Sequence, residues 1–160
     1  MLIRPFEPAD APVVWTILEP AIRGGEVFAL PTDMIEADAI AHWCAPDRAT
    51  FVAEEEGRVL GTYYIRANQA GPGAHVANGG YATAPEAAGR GVARAMCLDS
   101  LKQARARGFR AMQFNFVASS NDRAVRLWES CGFAIVGRLP GAFAHPRLGE
   151  VDALVMFRRL

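Results

Sequence analysis

The sequence predicts an α/β fold of the α+β type, built on a mixed sheet. Three observations carry this. Strand-like and helix-period runs follow in the order β-α-α-β-β-β-α-β-α-β-β, which a purely doubly wound parallel fold does not accommodate. Apolar residues make up 51% of the chain and charged residues 21%, enough to bury a core and too apolar for disorder. No repeat, low-complexity tract or linker-like interval breaks the 160 residues, so 1–160 reads as one domain.

In order, MLIRPF (1–6) reads as a short strand. Pro8, Ala9 and Asp10 open a helix whose Val13, Val14, Ile17, Leu18 and Ile22 keep the 3.6-residue period, and Gly24-Gly25 ends it. A second helix spans Asp33 to Trp43, with Asp33 as N-cap and Ala45-Pro46 as the stop. Runs 50–55 and 58–67, parted by Glu56-Gly57, form a hairpin whose Glu54, Glu55 and Glu56 read as a solvated tip. After the loop QAGPGA comes the strand HVANGGYATA, where Gly79-Gly80 marks a bulge or a close approach by backbone or ligand. A helix from Gly91 to Arg107 gathers Val92, Met96, Cys97, Leu101 and Ala104 on one face and closes at Gly108. The strand 110–118 leads into a helix capped at Ser120 or Asn121 and ended at Gly132; FAIVGRL, a loop over 140–150 and VDALVMFRR finish the chain.

Lys plus Arg is 17 and Asp plus Glu is 17, a zero formal charge that argues against nucleic acid or a strongly basic tail as partner. Cys44, Cys97 and Cys131 are odd in number, far apart and without paired metal spacing, and His42 and His145 have no partner at such spacing; no metal is expected, and the thiols read as buried in a reducing compartment. No run approaches ~18 apolar residues, and MLIRPFEPAD lacks the core of a signal peptide. The expectation is a cytoplasmic domain with no membrane partner.

Chemistry concentrates in YATAPEAAGRGVARAM (81–96). A strand ends at Pro85, Gly89 and Gly91 clear side chains from the turn, and a helix begins, so successive N–H groups converge where the helix end adds positive charge. Arg90 and Arg94 lie alongside. This is a pyrophosphate cradle or a plain strand-to-helix turn. It is neither a Gly-Lys-Ser/Thr phosphate loop nor a G-x-G-x-x-G dinucleotide fingerprint.

With PEAAGRGVA (85–93) and NDRAVRLWESCGF (121–133), the chain resembles the GNAT acetyltransferase superfamily, and the element order agrees over nearly its whole length. The resemblance implies a single GNAT-like domain, with a central mixed, mostly antiparallel sheet of six to seven strands flanked by about four helices. Acetyl-CoA is the implied co-substrate. Its pantetheine lies along Tyr81, Ala82 and Thr83, its pyrophosphate meets the backbone of Gly89, Arg90, Gly91, Val92, Ala93 and Arg94, and Asn121 contacts it as well. Asn121 also reads as a simple N-cap. The family's habit implies a homodimer through the final strands. Two positions depart from the pattern. Ala88 replaces a usual Gln or Arg, and Trp128 replaces the Tyr that many members place seven residues after the Asn to protonate the leaving sulfur. An indole N–H is no acid at neutral pH. Leaving as thiolate forfeits only ~2 kcal/mol at pH 7 for a thiol of pKa ~8.5, so transfer is slowed rather than abolished.

HVANGGY, FNF and SSNDRA are similar to the subgroup of the yeast azetidine-2-carboxylate acetyltransferase, which acetylates proline analogues. That likeness implies that Asn78 holds the substrate, Asn115 steadies the oxyanion and Asn121 binds the cofactor. An amide donates and accepts without charge, and a donor aimed at an oxyanion is worth ~3 kcal/mol. No Asn serves as general base, which leaves water or the free amine. The implied reaction is direct transfer in a ternary complex to a small amine, such as a proline analogue. The alternatives are another small amine, a protein N-terminus, or a non-catalytic acetyl-CoA sensor motivated by Trp128. Among lesser candidates, His75 reads as a proton relay or as a plain surface or core residue, and Arg147, near Phe143 and His145, as a carboxylate anchor or an exposed loop cation. Phe28, Leu30, Met34 and Trp43 wall a pocket or join the core.

Overall fold

A computed structural model describes residues 1–160 as seven strands and four α-helices in the predicted order. They are β1 (Leu2–Pro5), α1 (Ala11–Gly24), α2 (Glu36–Trp43), β2 (Ala49–Glu55), β3 (Arg58–Ala67), β4 (Val76–Thr83), α3 (Val92–Ala106), β5 (Ala111–Ala118), α4 (Asp122–Ser130), β6 (Ala134–His145) and β7 (Gly149–Arg159). One sheet takes all strands in the order β1-β2-β3-β4-β5-β7-β6. Only β4 and β5 pair in parallel, so the sheet is mixed and mostly antiparallel.

Side-chain alternation along β3 sorts the helices into two layers. A Cβ at Gly61 would sit 2.8 Å from Met96 of α3, and Tyr63 Oη donates to Asp99 of α3 at 2.6 Å. Thr62, between them, faces the other way and accepts from Trp43 Nε1 of α2 at 3.0 Å. The helices bury the stripes their periods mark: Val14, Ile17, Leu18 and Ile22 on α1; Val92, Met96, Cys97, Leu101 and Ala104 on α3. Each fully buried Val, Leu, Ile or Met of these stripes contributes about 2 kcal/mol.

Five local expectations need correction. A 3-10 turn at Pro8–Asp10 precedes α1, which starts only at Ala11. The second helix begins at Glu36, and Asp33 does not cap it. Arg23 Nη1 donates to the carbonyls of Thr32 (2.7 Å) and Met34 (2.9 Å), which holds residues 32–34 as a turn. The loop placed at 140–150 is mostly strand. β6 runs on to His145 and pairs Phe143 with Val151, because Pro140 sits on an edge strand that loses nothing by lacking its N–H. The hairpin-tip carboxylates are not all free: Glu54 pairs with Arg4 at 3.0 Å and Glu55 with Arg90. Cys97 and Cys131 are buried, whereas Cys44 is half-buried; all three are unpaired.

Candidate active site

β4 and β5 are bonded only at Val76–Ala111 and Ala77–Met112, after which they separate. Ala84 N–H donates to Leu60 O at 2.9 Å and Asn68 N–H to Val76 O at 2.8 Å. The two-residue alternation of an antiparallel ladder therefore turns Asn78, Gly80 and Ala82 toward β3. The N–H and C=O groups of Gly79, Tyr81 and Thr83 face the split. A bulge between Phe114 and Val117 in the β5–β7 pairing bends β5 away at the same level. Asn78 bridges the opening, its Nδ2 donating to Gln113 O at 2.9 Å.

A groove of about 920 Å³ passes through this split, joining the two helical layers. On the α1–α2 side its wall holds Phe28, Leu30, His42, Trp43, Tyr64 and Asn78. Trp43 packs edge-on against Phe28 and Tyr64, with ring centroids 5.7 and 4.9 Å apart. The pocket-or-core question is thereby answered for Phe28, Leu30 and Trp43, whereas Met34 packs against the core outside the groove. On the α3–α4 side the wall holds Gly89, Gly91, Val92, Ala93, Arg94, Asn121 and Trp128. Gly89 and Gly91 stand at φ +81° and +80°, a conformation that favours glycine and turns the chain into α3. The N–H groups of Gly89, Gly91, Val92, Ala93 and Arg94 have no acceptor within the chain; that of Arg90 donates to Ala87 O at 3.2 Å.

The model of the acetyltransferase (GNAT) family matches residues 15–133, which hold this groove. The chain belongs to the GNAT acetyltransferase family. N-acetyltransferase aca1 of Schizosaccharomyces pombe is 34% identical over 112 residues, which are 69% of this chain and 54% of that protein, so the match spans about half the yeast relative. A GCN5-related N-acetyltransferase from Kribbella flavida superposes with a TM-score of 0.95 at 40% identity, over 99% of this chain and 97% of that one. Salmonella typhimurium yncA, solved with its cofactor acetyl-CoA, shares the fold at a TM-score of 0.87 and 22% identity, over 100% of this chain and 94% of that one.

Within the GNAT fold, the residues singled out in the sequence fall into two groups, and the structure adds a third. Asn78, Tyr81, Ala82, Thr83, Asn115, Asn121 and the glycine turn all border the one groove. Asn121 caps α4, its Oδ1 accepting from Ala124 N–H at 3.1 Å, and still reaches the groove. Asn115 is exposed; its Oδ1 accepts from Gln113 Nε2 at 2.9 Å and its Nδ2 donates to Asn68 Oδ1 at 2.7 Å. Other residues lie apart. Arg90 turns its guanidinium to Glu55, Arg147 pairs with Glu26, His75 is exposed, and none of the three lines the groove. A third group was missed. Arg123 and Arg126 of α4 line the α3–α4 end with Arg94, and His42 lines the other end. Arg123 and Arg126 are three apart on the helix that Asn121 starts, a spacing that places both on one face.

Trp128 is buried, with ring centroids 4.9 Å from both Tyr81 and Phe114. The Tyr81 hydroxyl is engaged by Ser100 Oγ at 2.6 Å, and burial pushes its pKa well above the ordinary phenol value. Neither ring offers an acid for neutral pH. No cluster of three or more His, Cys, Asp or Glu stands close enough to hold a metal, and no helix is long and apolar enough to cross a membrane.

Proposed function

We propose that this GNAT-family chain transfers the acetyl group of acetyl-CoA to a small amine, with a proline analogue such as azetidine-2-carboxylate as the first acceptor to try. The observation that carries the reading is the groove through the split sheet. One end holds unpaired N–H groups and arginines for phosphates, the middle a strand edge for pantetheine, and the far end a small aromatic pocket with an amide. Pantetheine follows Tyr81–Thr83, and the pyrophosphate rests on the backbone from Gly89 to Arg94, with Asn121 and the arginines alongside. Both substrates bind together. The amine nitrogen attacks the thioester carbon, and the oxyanion meets an N–H of the exposed β4 edge with Asn115 nearby. The N–C bond forms to give that tetrahedral oxyanion; its collapse breaks the C–S bond, the sulfur leaves as thiolate with no protein acid at Trp128 or Tyr81, and the proton shed by the nitrogen passes in the end to water. Asn78 orients the acceptor, since its Nδ2 is tied to Gln113 while its Oδ1 remains available to an amine N–H. Free cysteines support a reducing, cytoplasmic setting, and Ile135, Val136 and Leu139, exposed on edge strand β6, support pairing of two copies there.

The test is thiol release from acetyl-CoA with and without L-azetidine-2-carboxylate, for wild type and Asn78→Ala. Acceptor-dependent release that falls tenfold or more in the variant supports the reading. Activity only on other small amines or on peptides would move the acceptor class. Tight acetyl-CoA binding without release on any amine would favour a sensor, the second reading that Trp128 motivates.

A further inference from the structure

The acceptor amine must arrive at the thioester without its extra proton, and an alkyl amine of pKa ~10 is neutral in only about one molecule in a thousand at pH 7. No Asp, Glu, Lys or Cys lines the groove. Its titratable side chains are His42, Tyr64, Tyr81, Arg94, Arg123 and Arg126. A guanidinium has no site to take up a proton, and a phenol holds its own until pH ~10. The amides of Asn78 and Asn115 are no bases either.

We propose that His42 is the general base of the transfer, its imidazole taking the proton of the amine at the acceptor end of the groove. The proposal rests on the acetyl-transfer reading above. His42 is in the last turn of α2, and its chain neighbour Trp43 fixes that turn through the buried bond to Thr62 and the contact with Tyr64. The imidazole is thereby held on the wall it shares with Tyr64 and Asn78, half-buried, with the groove open to water for onward proton release.

Its charged surroundings favour the neutral imidazole. The turn after α2 contributes Asp47 and Arg48, and β3 contributes Arg66 and the phenol of Tyr64. One carboxylate serves two guanidiniums: Asp47 Oδ1 lies 3.6 Å from Arg48 Nε and Oδ2 lies 3.4 Å from Arg66 Nη1. Arg48 Nε and Nη1 and Arg66 Nε are buried without a hydrogen-bond partner, and Arg48 stacks on the Tyr64 ring at 4.3 Å. Burial first, then Arg48 and Arg66, hold the His42 pKa below its ordinary 6.5, against Asp47 and against the α2 C-terminal carbonyls that favour a cation. At pH 7 the ring is ready to accept. In the step itself, the imidazole takes the ammonium proton and passes it to water; the freed amine adds to the thioester carbon, the C–S electrons leave with the thiolate, and the second proton, shed by the acylated nitrogen, returns through the imidazole to water.

The experiment is the pH profile of kcat from pH 5 to 9 for wild type, His42→Gln and His42→Ala, with acetyl-CoA affinity measured alongside by calorimetry. Wild-type kcat should fall on the acid side as the imidazole protonates. His42→Gln should lose roughly 100-fold or more in kcat together with that acid limb, at unchanged acetyl-CoA affinity, and added imidazole should restore His42→Ala by tenfold or more. Wild type active and His42→Gln within twofold at every pH would overturn the assignment alone. So would a lower kcat with the acid limb intact, which marks a merely structural role. Wild type that binds acetyl-CoA yet acetylates no amine would overturn the transfer reading and this base with it.

Discussion

Gly80 is the tightest point of the wall that holds Trp43, Tyr64 and Asn78, the proposed acceptor end. Its strand keeps an unbroken register with β3, so the Gly79-Gly80 pair marks close approach rather than a bulge. A Cβ at Gly80 would stand 2.6 Å from Cε1 and 2.9 Å from Cζ of Tyr64. That ring is held between Trp43 and Arg48 and has little room to yield. Gly80→Ala should therefore cost about 1–3 kcal/mol in urea unfolding, as overpacking does. It should also raise the acceptor KM more than the acetyl-CoA KM, because the displaced ring walls only the end proposed for the acceptor. Equal changes in both constants would contradict this placement.

At the scale of elements, β1 is fastened to the entry of α1 by one ion pair. Arg4 Nη1 and Nη2 donate to Asp10 Oδ2 and Oδ1 at 2.8 and 2.9 Å, and Glu7 N–H donates to Oδ2 at 2.8 Å. The Arg4 hydrogen bonds, partly offset by burial, hold the Asp10 carboxyl below the ordinary carboxylate range. With the folded pKa below the unfolded value of ~3.9, the contribution is complete above that value and is lost as pH falls through the folded one. Asp10→Asn should lower stability by about 2 kcal/mol at pH 7 and by progressively less below pH ~4, where wild type loses the same advantage. Denaturant midpoints at pH 7, 4 and 3 check the sign. A constant deficit across that range would rule out the linkage.

Over the whole molecule, a ligand that threads the split touches both helical layers and both halves of the sheet at once, so binding should stabilise the fold as a unit. Acetyl-CoA at a hundredfold over its Kd should contribute about 2.7 kcal/mol and raise Tm by roughly 5–10 °C. Hydrogen exchange should slow together in β4, α3 and α4. Protection confined to the glycine turn would mean that the phosphates bind there while pantetheine does not enter the sheet.

The element order, the helix stripes, the hairpin at Glu56-Gly57 and the glycine turn before α3 were legible along the chain, and the α4 cap was narrowed to Ser120 or Asn121, because each rests on local period, turn chemistry or capping within a few residues. The two motifs that border the α3–α4 end of the groove were legible for the same reason. Tertiary structure alone decided where β4 and β5 part, since strand separation and the β5 bulge are set by pairing between distant segments. It also decided that Arg90 and Arg147 turn away to carboxylates 35 and 121 residues distant, and that His42, Tyr64 and Asn78 share one wall. The last of these juxtapositions arises from packing α2 onto β3 beside β4, an arrangement that no spacing along the chain encodes.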